Sequence, residues 1–237
     1  MTLLGIDTAT SSAGVALWGD DGPMASARVV GGRKHAEVVM PLVQELCERT
    51  GTAVGDIGAV AVDIGPGLFT GLRVGLATAT AIGLARNVPV VGVSSLDVLA
   101  NPHRRRAGRL TTVVDARRGA VYWALYETDG RELHQLQAPA VAPPEAVAAS
   151  LAGSPAPVLA VGDGAWRYRE LMSPVAEVAG PGEMWPSAEV VAELGAARLA
   201  GGVVPDRPPR PLYLRKADVR IGWDQVDGRV GEVRAAP

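Results

Sequence analysis

The 237-residue chain reads as an α/β protein of two lobes, each built on the same βββαβαβα order. Three observations carry that reading. A short apolar run ending in an acid occurs at residues 3–7 and again at 110–115. Each is followed by two further strand-like runs, and each trio gives way to helical periodicities alternating with single strands. At 48% hydrophobic and 20% charged, the composition excludes disorder. At roughly 100–200 residues per domain the length accommodates two small domains sharing a cleft.

The first unit supplies its elements in order. Residues 3–7, 13–18 and 25–30 are apolar runs separated by a Thr/Ser-rich turn and an Asp-Gly-Pro turn, which predicts a meander. Over residues 35–49 a helix is predicted, because Val38, Val39, Leu42, Val43 and Leu46 recur at three- and four-residue spacing opposite Glu37, Gln44, Glu45 and Glu48. Pro41 is expected to kink it, since an interior proline loses a hydrogen bond at a cost of about 3 kcal/mol. A strand at 57–63, a Gly-Pro-Gly turn, a helix at 70–86, a strand at 89–93 and a short helix opened by Ser94 or Ser95 complete the unit.

The second unit repeats the order with little sequence similarity. Strands are predicted at 110–115, 120–126 and 132–137, then a helix at 144–151 behind Pro143 and a strand at 158–161 with a Gly-Asp-Gly exit. A helix at 165–172, a weak strand at 175–178 and a helix at 188–200 capped by Ser187 follow. Two such mixed sheets flanked by helices on either side of a cleft form the architecture of the actin, sugar-kinase and Hsp70 ATPase group, an actin-like, ribonuclease H-like (ASKHA) fold. The lobes are drawn at 1–100 and 109–215, with residues 216–237 as a loosely packed tail.

Charge and targeting narrow the function classes. With 23 Lys+Arg against 25 Asp+Glu, the formal charge of -2 gives no long-range attraction to nucleic acid or anionic membrane. The N-terminus lacks a basic n-region and Asp7 interrupts its apolar stretch, so no signal peptide is expected. The longest clean apolar helix, between Arg73 and Arg86, is shorter than the roughly 20 residues of a membrane span. Cys47, the single cysteine, permits neither an internal disulfide nor a Cys-based metal site. A cytoplasmic protein is expected. The one basic cluster, six Arg against one Asp over residues 101–120, is either a solvated loop or a contact to a nucleic-acid backbone.

Gly65-Pro-Gly-Leu-Phe-Thr-Gly-Leu-Arg73 is the most specific segment. Gly-Pro-Gly forces a tight strand exit and Thr70 is expected to cap the helix that follows. On that helix Gly71, Gly75, Ala79 and Gly83 fall every fourth residue, a row that admits another backbone, either this protein's own or a partner's. Phe69, the only phenylalanine, is either a core plug or an interface anchor. Arg73 is badly placed for the helix dipole, so an acid or a carbonyl is expected to hold it.

Together with Leu4-Gly-Ile-Asp-Thr8, His35-Ala-Glu37, Ser94-Ser-Leu96, Asp115-Ala-Arg117 with Val121-Tyr122, and Tyr213-Leu-Arg215, this segment resembles the bacterial TsaB family, accessory to threonylcarbamoyladenosine synthesis on tRNA. Leu68 stands where that family most often has Ser. The resemblance implies a non-catalytic subunit that scaffolds TsaD during threonylcarbamoyl transfer from threonylcarbamoyl-adenylate to N6 of adenosine 37 in tRNAs reading ANN codons. It implies TsaD as heterodimer partner, TsaE, an ATPase, as a further partner, and a homodimer as an alternative. Contact with tRNA would be indirect, no cofactor would be tightly bound, and ATP would be used by the wider pathway. It also implies pairing through the first two helices of the N-terminal lobe, so the small-residue row is assigned to the partner. The predicted interface is Phe69, Thr70, Gly71, Arg73, Val74, Gly75, Ala79 and Gly83, with His35, Val38, Val39 and Leu42 from the first helix.

The alternative is a phosphotransferase or ATPase. In actin-like kinases the first hairpin loop of each lobe grips phosphate beside an Asp; here Asp7, Thr8, Ser11 and Asp115 are the equivalents, a vestigial nucleotide site. The second loop, Ala116-Arg-Arg-Gly119, lacks a glycine-rich turn, and Gly162-Asp-Gly164 is a remnant of the adenosine loop. The bland reading makes both acids turn formers at strand ends. A metallopeptidase is a third reading. TsaD carries His-x-x-x-His on its first long helix, but alignment puts Val39 opposite the second ligand, leaving His35 as a helix-start residue and no metal pair.

Overall fold

A computed structural model describes residues 1–31 and 35–215. The tail drawn at 216–237 lies outside them. The first sheet is a meander of β1 (Thr2–Asp7), β2 (Ser12–Gly19) and β3 (Gly22–Val30), extended on the β1 side by β4 (Ile57–Gly65) and β5 (Val90–Ser94). Its order is β3-β2-β1-β4-β5, with β4 and β5 parallel to β1. α1 (His35–Thr50), α2 (Phe69–Arg86) and α3 (Ser95–Ala100) connect these strands or follow them.

The second sheet repeats the topology. β6 (Gly108–Arg117), β7 (Ala120–Thr128), β8 (Leu133–Ala142), β9 (Val158–Val161) and β10 (Glu177–Val178) stand in the order β10-β9-β6-β7-β8. α4 (Pro144–Ala152), α5 (Asp163–Arg167), α6 (Arg169–Met172) and α7 (Ala188–Ala200) complete a two-lobed α/β chain of actin-like architecture.

Both faces of the first sheet are covered, which is why its parallel strands are apolar throughout rather than alternating. One face, with Leu4, Ile6, Val15, Leu17, Val60 and Val62, packs on Val39, Val43 and Leu46 of α1 and Leu76, Ala79 and Ile82 of α2. The other, with Leu3, Ala16, Ala59 and Ala61, packs on Ala188, Val191 and Ala192 of α7.

That second contact joins the two repeats. The division at residues 101–108 separates the two sheets, but the helical layers cross it: α7, from the second repeat, lies on the first sheet. In return Leu96, Leu99 and Ala100 of α3 enter the core of the second sheet beside Leu110, Val114 and Tyr126. A side chain at Gly195 of α7 would run into Ala61 of β4, so glycine there lets helix and sheet touch. After α7 the chain returns across both sheets. Leu212 N–H donates to Ile64 O at 2.8 Å, Leu214 joins the second core, and Arg215 Nη1 donates to Ala116 O at 3.3 Å.

Other local expectations shift. Residues 165–172 form two short helices broken at Tyr168, not one. β8 runs on to Ala142, pairing with β7 along its length. α1 continues through Pro41, which lies on its exposed side. Ser94 caps α3 by accepting Leu96 N–H, but Thr70 sits inside α2, whose cap residue is Leu68 and makes no side-chain bond.

Gly195→Leu is expected to lift α7 from β4 and cost about 1–3 kcal/mol, as overpacking does. A lowered thermal midpoint checks this, whereas an unchanged one would contradict the crossed layers.

Candidate functional site

The Gly65-to-Arg73 segment carries the chain from β4 into α2. Gly65 has φ 97, a left-handed conformation that favours glycine. Leu68 N–H then donates to Ala9 O at 2.6 Å, and a side chain at Gly67 would collide with that same carbonyl. One turn on, a side chain at Gly71 would strike the Thr8 carbonyl, and one at Gly75 the Thr8 hydroxyl, which donates to Gly71 O at 2.8 Å. Ala79 is buried against the sheet and Gly83 faces Val90.

The small-residue row therefore faces this protein's own fold, Gly71 and Gly75 the β1 exit and Ala79 and Gly83 the sheet, so these four residues leave the predicted interface. His35 and Val39 leave it too, being buried in the wall beneath α1, while Val38 and Leu42 are half-buried. What α2 turns outward is Phe69, Thr70, Arg73, Ala77, Ala81, Leu84, Ala85 and Arg86, with Val74, Thr78 and Thr80 half-buried; Met40 of α1 is also exposed. Arg73 and Arg86 are the only charges on α2, and Leu84 is 75% exposed. Phe69, 43% exposed, is not a core plug. Arg73 lies over its ring at 3.8 Å from the centroid, and Tyr213 packs beside it at 5.4 Å. An aromatic four residues back thus holds the guanidinium where an acid or carbonyl was expected.

Beneath the turn lies a carboxyl pair of which the sequence reading had only half. Asp7, at the end of β1, is fully buried and accepts Ala9 N–H at 2.9 Å. Asp63, near the end of β4, is equally buried and accepts Gly65 N–H at 2.7 Å and the Ser95 hydroxyl at 2.6 Å. Burial, and then the charge of Asp63, pushes Asp7 well above the carboxylate range; burial raises Asp63 to about 6. Asp63 has two donors to stabilise its anion and Asp7 one, so the shared proton resides on Asp7. The pair ties the β1 and β4 exits together. The missed signal was the acid at the end of the 57–63 run, the same feature that drew attention to Asp7.

Across the cleft, Asp115 is engaged by two arginines, Arg117 at 3.0 Å and Arg167 at 3.8 Å, and accepts Arg117 N–H. Asp163, which accepts Asp115 N–H at 2.9 Å, is raised to about 6 by burial. Asp7 is thus sealed in the core, Thr8 is spent on Gly71, and Asp115 is neutralised by guanidiniums. Of the four residues proposed for a nucleotide, only Ser11 borders the open cleft, where its hydroxyl accepts Trp185 Nε1–H at 3.2 Å. Burial lowers the pKa of His35, and among the described residues no three His, Cys, Asp or Glu side chains gather as metal ligands. In the basic cluster Arg104 pairs with Glu193 at 2.9 Å, Arg106 with Glu177 and Arg109 with Glu127, so much of its charge is spent within the fold.

The fold is a two-lobed actin-like one whose strand-end acids are locked into its own structure. The family model described as TsaD: tRNA N6-adenosine threonylcarbamoyltransferase matches residues 29–176. The Escherichia coli (strain K12) protein named tRNA threonylcarbamoyladenosine biosynthesis protein TsaB is 33% identical, over 97% of this chain and all of its own length. Its Bacillus subtilis namesake is 30% identical over 94% and 98%. YeaZ from Pseudomonas aeruginosa superposes with a TM-score of 0.78 at 32% identity, over 90% of this chain and 99% of that one. The chain belongs to the TsaB family. Ethanolamine utilization protein EutJ from Carboxydothermus hydrogenoformans, at 13% identity and TM-score 0.51, shares the fold alone.

The buried acids give stability a direction with pH. Asp7, Asp63 and Asp163 hold protons more tightly folded than unfolded, where carboxyls titrate near about 4. Their contribution is complete below that pH; the share of Asp63 and Asp163 is lost as pH rises through about 6 and that of Asp7 as pH rises further through its own raised pKa. Asp63→Asn keeps an acceptor for Gly65 and Ser95 and adds a donor for Asp7. Thermal midpoints measured between about pH 4 and 7 are expected to fall less steeply in this variant than in the parent.

Proposed function

We propose that this chain acts in tRNA threonylcarbamoyladenosine biosynthesis as a non-catalytic subunit that docks a TsaD-type transferase on the outward faces of α1 and α2. The single observation that supports it is the character of α2. A surface helix normally carries charge on its wet side, yet between Arg73 and Arg86 this one exposes Ala77, Ala81 and Leu84. With no charge between those two arginines and only threonines as polar neighbours, the outward side reads as one that expects cover. Phe69, Arg73 and Met40 border the strip with an aromatic, a guanidinium and a thioether, residue types enriched in interface cores.

In this reading the chain supplies shape and binding while the partner supplies the threonylcarbamoyl chemistry. Its tRNA contacts come through the complex, it holds no tight cofactor, and ATP is handled elsewhere in the pathway, by a TsaE-type ATPase. When the transferase is absent, the same face can close on a second copy about a two-fold axis, since an isologous contact needs only a self-complementary strip.

Two substitutions on one helix separate surface from core. Ala77→Glu places a charge at the centre of a contact of about 1,600 Å² in total, and should leave thermal unfolding near the parent value. It is expected to abolish co-elution with the cognate TsaD on size exclusion and tRNA modification in a reconstituted reaction. Gly75→Leu, directed at Thr8 in the core, should instead lower the thermal midpoint, an overpacking cost of about 1–3 kcal/mol. Intact binding by Ala77→Glu would remove the docking face from α2.

A further inference from the structure

One corner of the outward α1–α2 face is held from outside both helices. Phe69 opens α2 and Arg73 covers its ring at 3.8 Å. Both side chains stand in solvent, and an exposed phenylalanine under an exposed arginine has no cause to keep one pose on its own. The third member of the stack, Tyr213, comes from the segment after α7. Its ring lies 5.4 Å from that of Phe69 and is inclined to it by 33°.

That segment is a strap with little freedom. Four prolines between residues 205 and 211 fix φ at their own positions. Pro209 sits where a side chain at Gly92 of β5 would strike it, and Leu212 N–H donates to Ile64 O at 2.8 Å, so the strap is bound to the first lobe as far as residue 212. Tyr213 N–H then closes a three-residue turn on Pro211 O at 3.1 Å. One residue later the anchor changes lobe: Leu214 packs in the core of the second sheet, and Arg215 Nη1 donates to Ala116 O at 3.3 Å. Tyr213 thus stands between two neighbours seated on different lobes, and its backbone cannot shift without moving one of them. The strap is seated by those neighbours, not by the ring of Tyr213, which is 47% exposed.

We propose that Tyr213 is a positioning residue for docking: fixed by one anchor on each lobe, it holds Phe69, and through Phe69 Arg73, in the pose that the transferase meets. This role, which rests on the docking reading of α1 and α2, is one of preorganisation. Binding orders the side chains of an interface, and a side chain already ordered spares part of that loss. Ala77 and Ala81 have no rotamers to lose, so the cost on α2 falls on its large side chains, of which Phe69 and Arg73 are a stacked pair.

Phe69 is the only phenylalanine in the chain, so the full-length protein labelled with ¹³C-phenylalanine gives ring signals from this site alone. In the parent they are expected to lie away from those of free phenylalanine, displaced by the neighbouring ring. Tyr213→Ala, and Leu212→Pro, which removes the donor to Ile64, should each return them toward the free value. Affinity for the cognate TsaD, measured by calorimetry, should fall about tenfold in both variants and hold within about twofold in Tyr213→Phe, which keeps the ring. The thermal midpoint of Tyr213→Ala should stay near the parent value, since only an exposed ring is lost. Ala77→Glu, measured alongside, separates the two levels of the reading. Loss of binding there with parent affinity in Tyr213→Ala overturns the positioning role and leaves the docking face standing, whereas parent affinity in Ala77→Glu overturns both. Phe69 signals that Tyr213→Ala leaves unmoved would overturn the positioning role. So would weak binding by Tyr213→Ala beside parent affinity in Leu212→Pro, which would make Tyr213 a contact only.

Discussion

Where Gly67, Gly71 and Gly75 pass the loop at Thr8 and Ala9, two stretches of backbone approach more closely than any side chain would allow, and the placement of α2 follows from that contact. The carbonyls of Thr8 and Ala9 set the helix's height over β1, while the Thr8 hydroxyl ties into its first turn. With one side of α2 fixed so tightly, the opposite side has no rotational freedom. Ala77, Ala81 and Leu84 must face outward, and Phe69 must stand where Arg73 and Tyr213 can stack on it. The same contact aims the start of the helix at the cleft.

The carboxyl pair reinforces this arrangement from below. Two strand exits that must sit side by side, each holding an acid, would repel if both were ionised; one proton between them turns repulsion into a tie. Elsewhere the fold uses its acids in the same inward way. Asp115 is consumed by Arg117 and Arg167, Asp97 receives the Tyr126 hydroxyl at 2.9 Å, and Glu193 binds Arg104 and Asn101. A kinase of this architecture would keep such groups free for metal and phosphate. Here these acids are paired within the fold.

Much of the architecture was legible because the chain states it twice. Asp7 and Asp115 mark equivalent strand ends, and the runs after each fall in the same order. The crossing of α7 onto the first sheet was not legible, since periodicity says that a helix has an apolar face but not which sheet receives it. The row at Gly71, Gly75, Ala79 and Gly83 announced a close approach without naming what approaches. The informative positions were those between, Ala77, Ala81 and Leu84, where an exposed helix lacks the expected charge. Phe69 and Arg73, four residues apart, could have been paired from spacing alone. The left-handed backbone at Arg117 and Arg118 could not, because nothing in two arginines predicts a conformation that usually calls for glycine or asparagine.

The crossed helical layers also bear on how the chain comes to be folded. During synthesis the first sheet emerges complete by residue 94, but the helix that covers its second face ends only at residue 200. Until then Leu3, Ala16, Ala59 and Ala61 have only Val98 of the short α3 from the helical layer to pack on, so the N-terminal half cannot close its second face ahead of the C-terminal half as independent domains do. The contacts that close the first lobe join residues far apart in sequence, a topology that slows folding and prolongs the exposure of an apolar face. The two repeats look like separable modules on the page, yet they are obliged to fold as one cooperative body, and a nascent chain cut short before α7 presents the ribosome's surroundings with an open, sticky sheet.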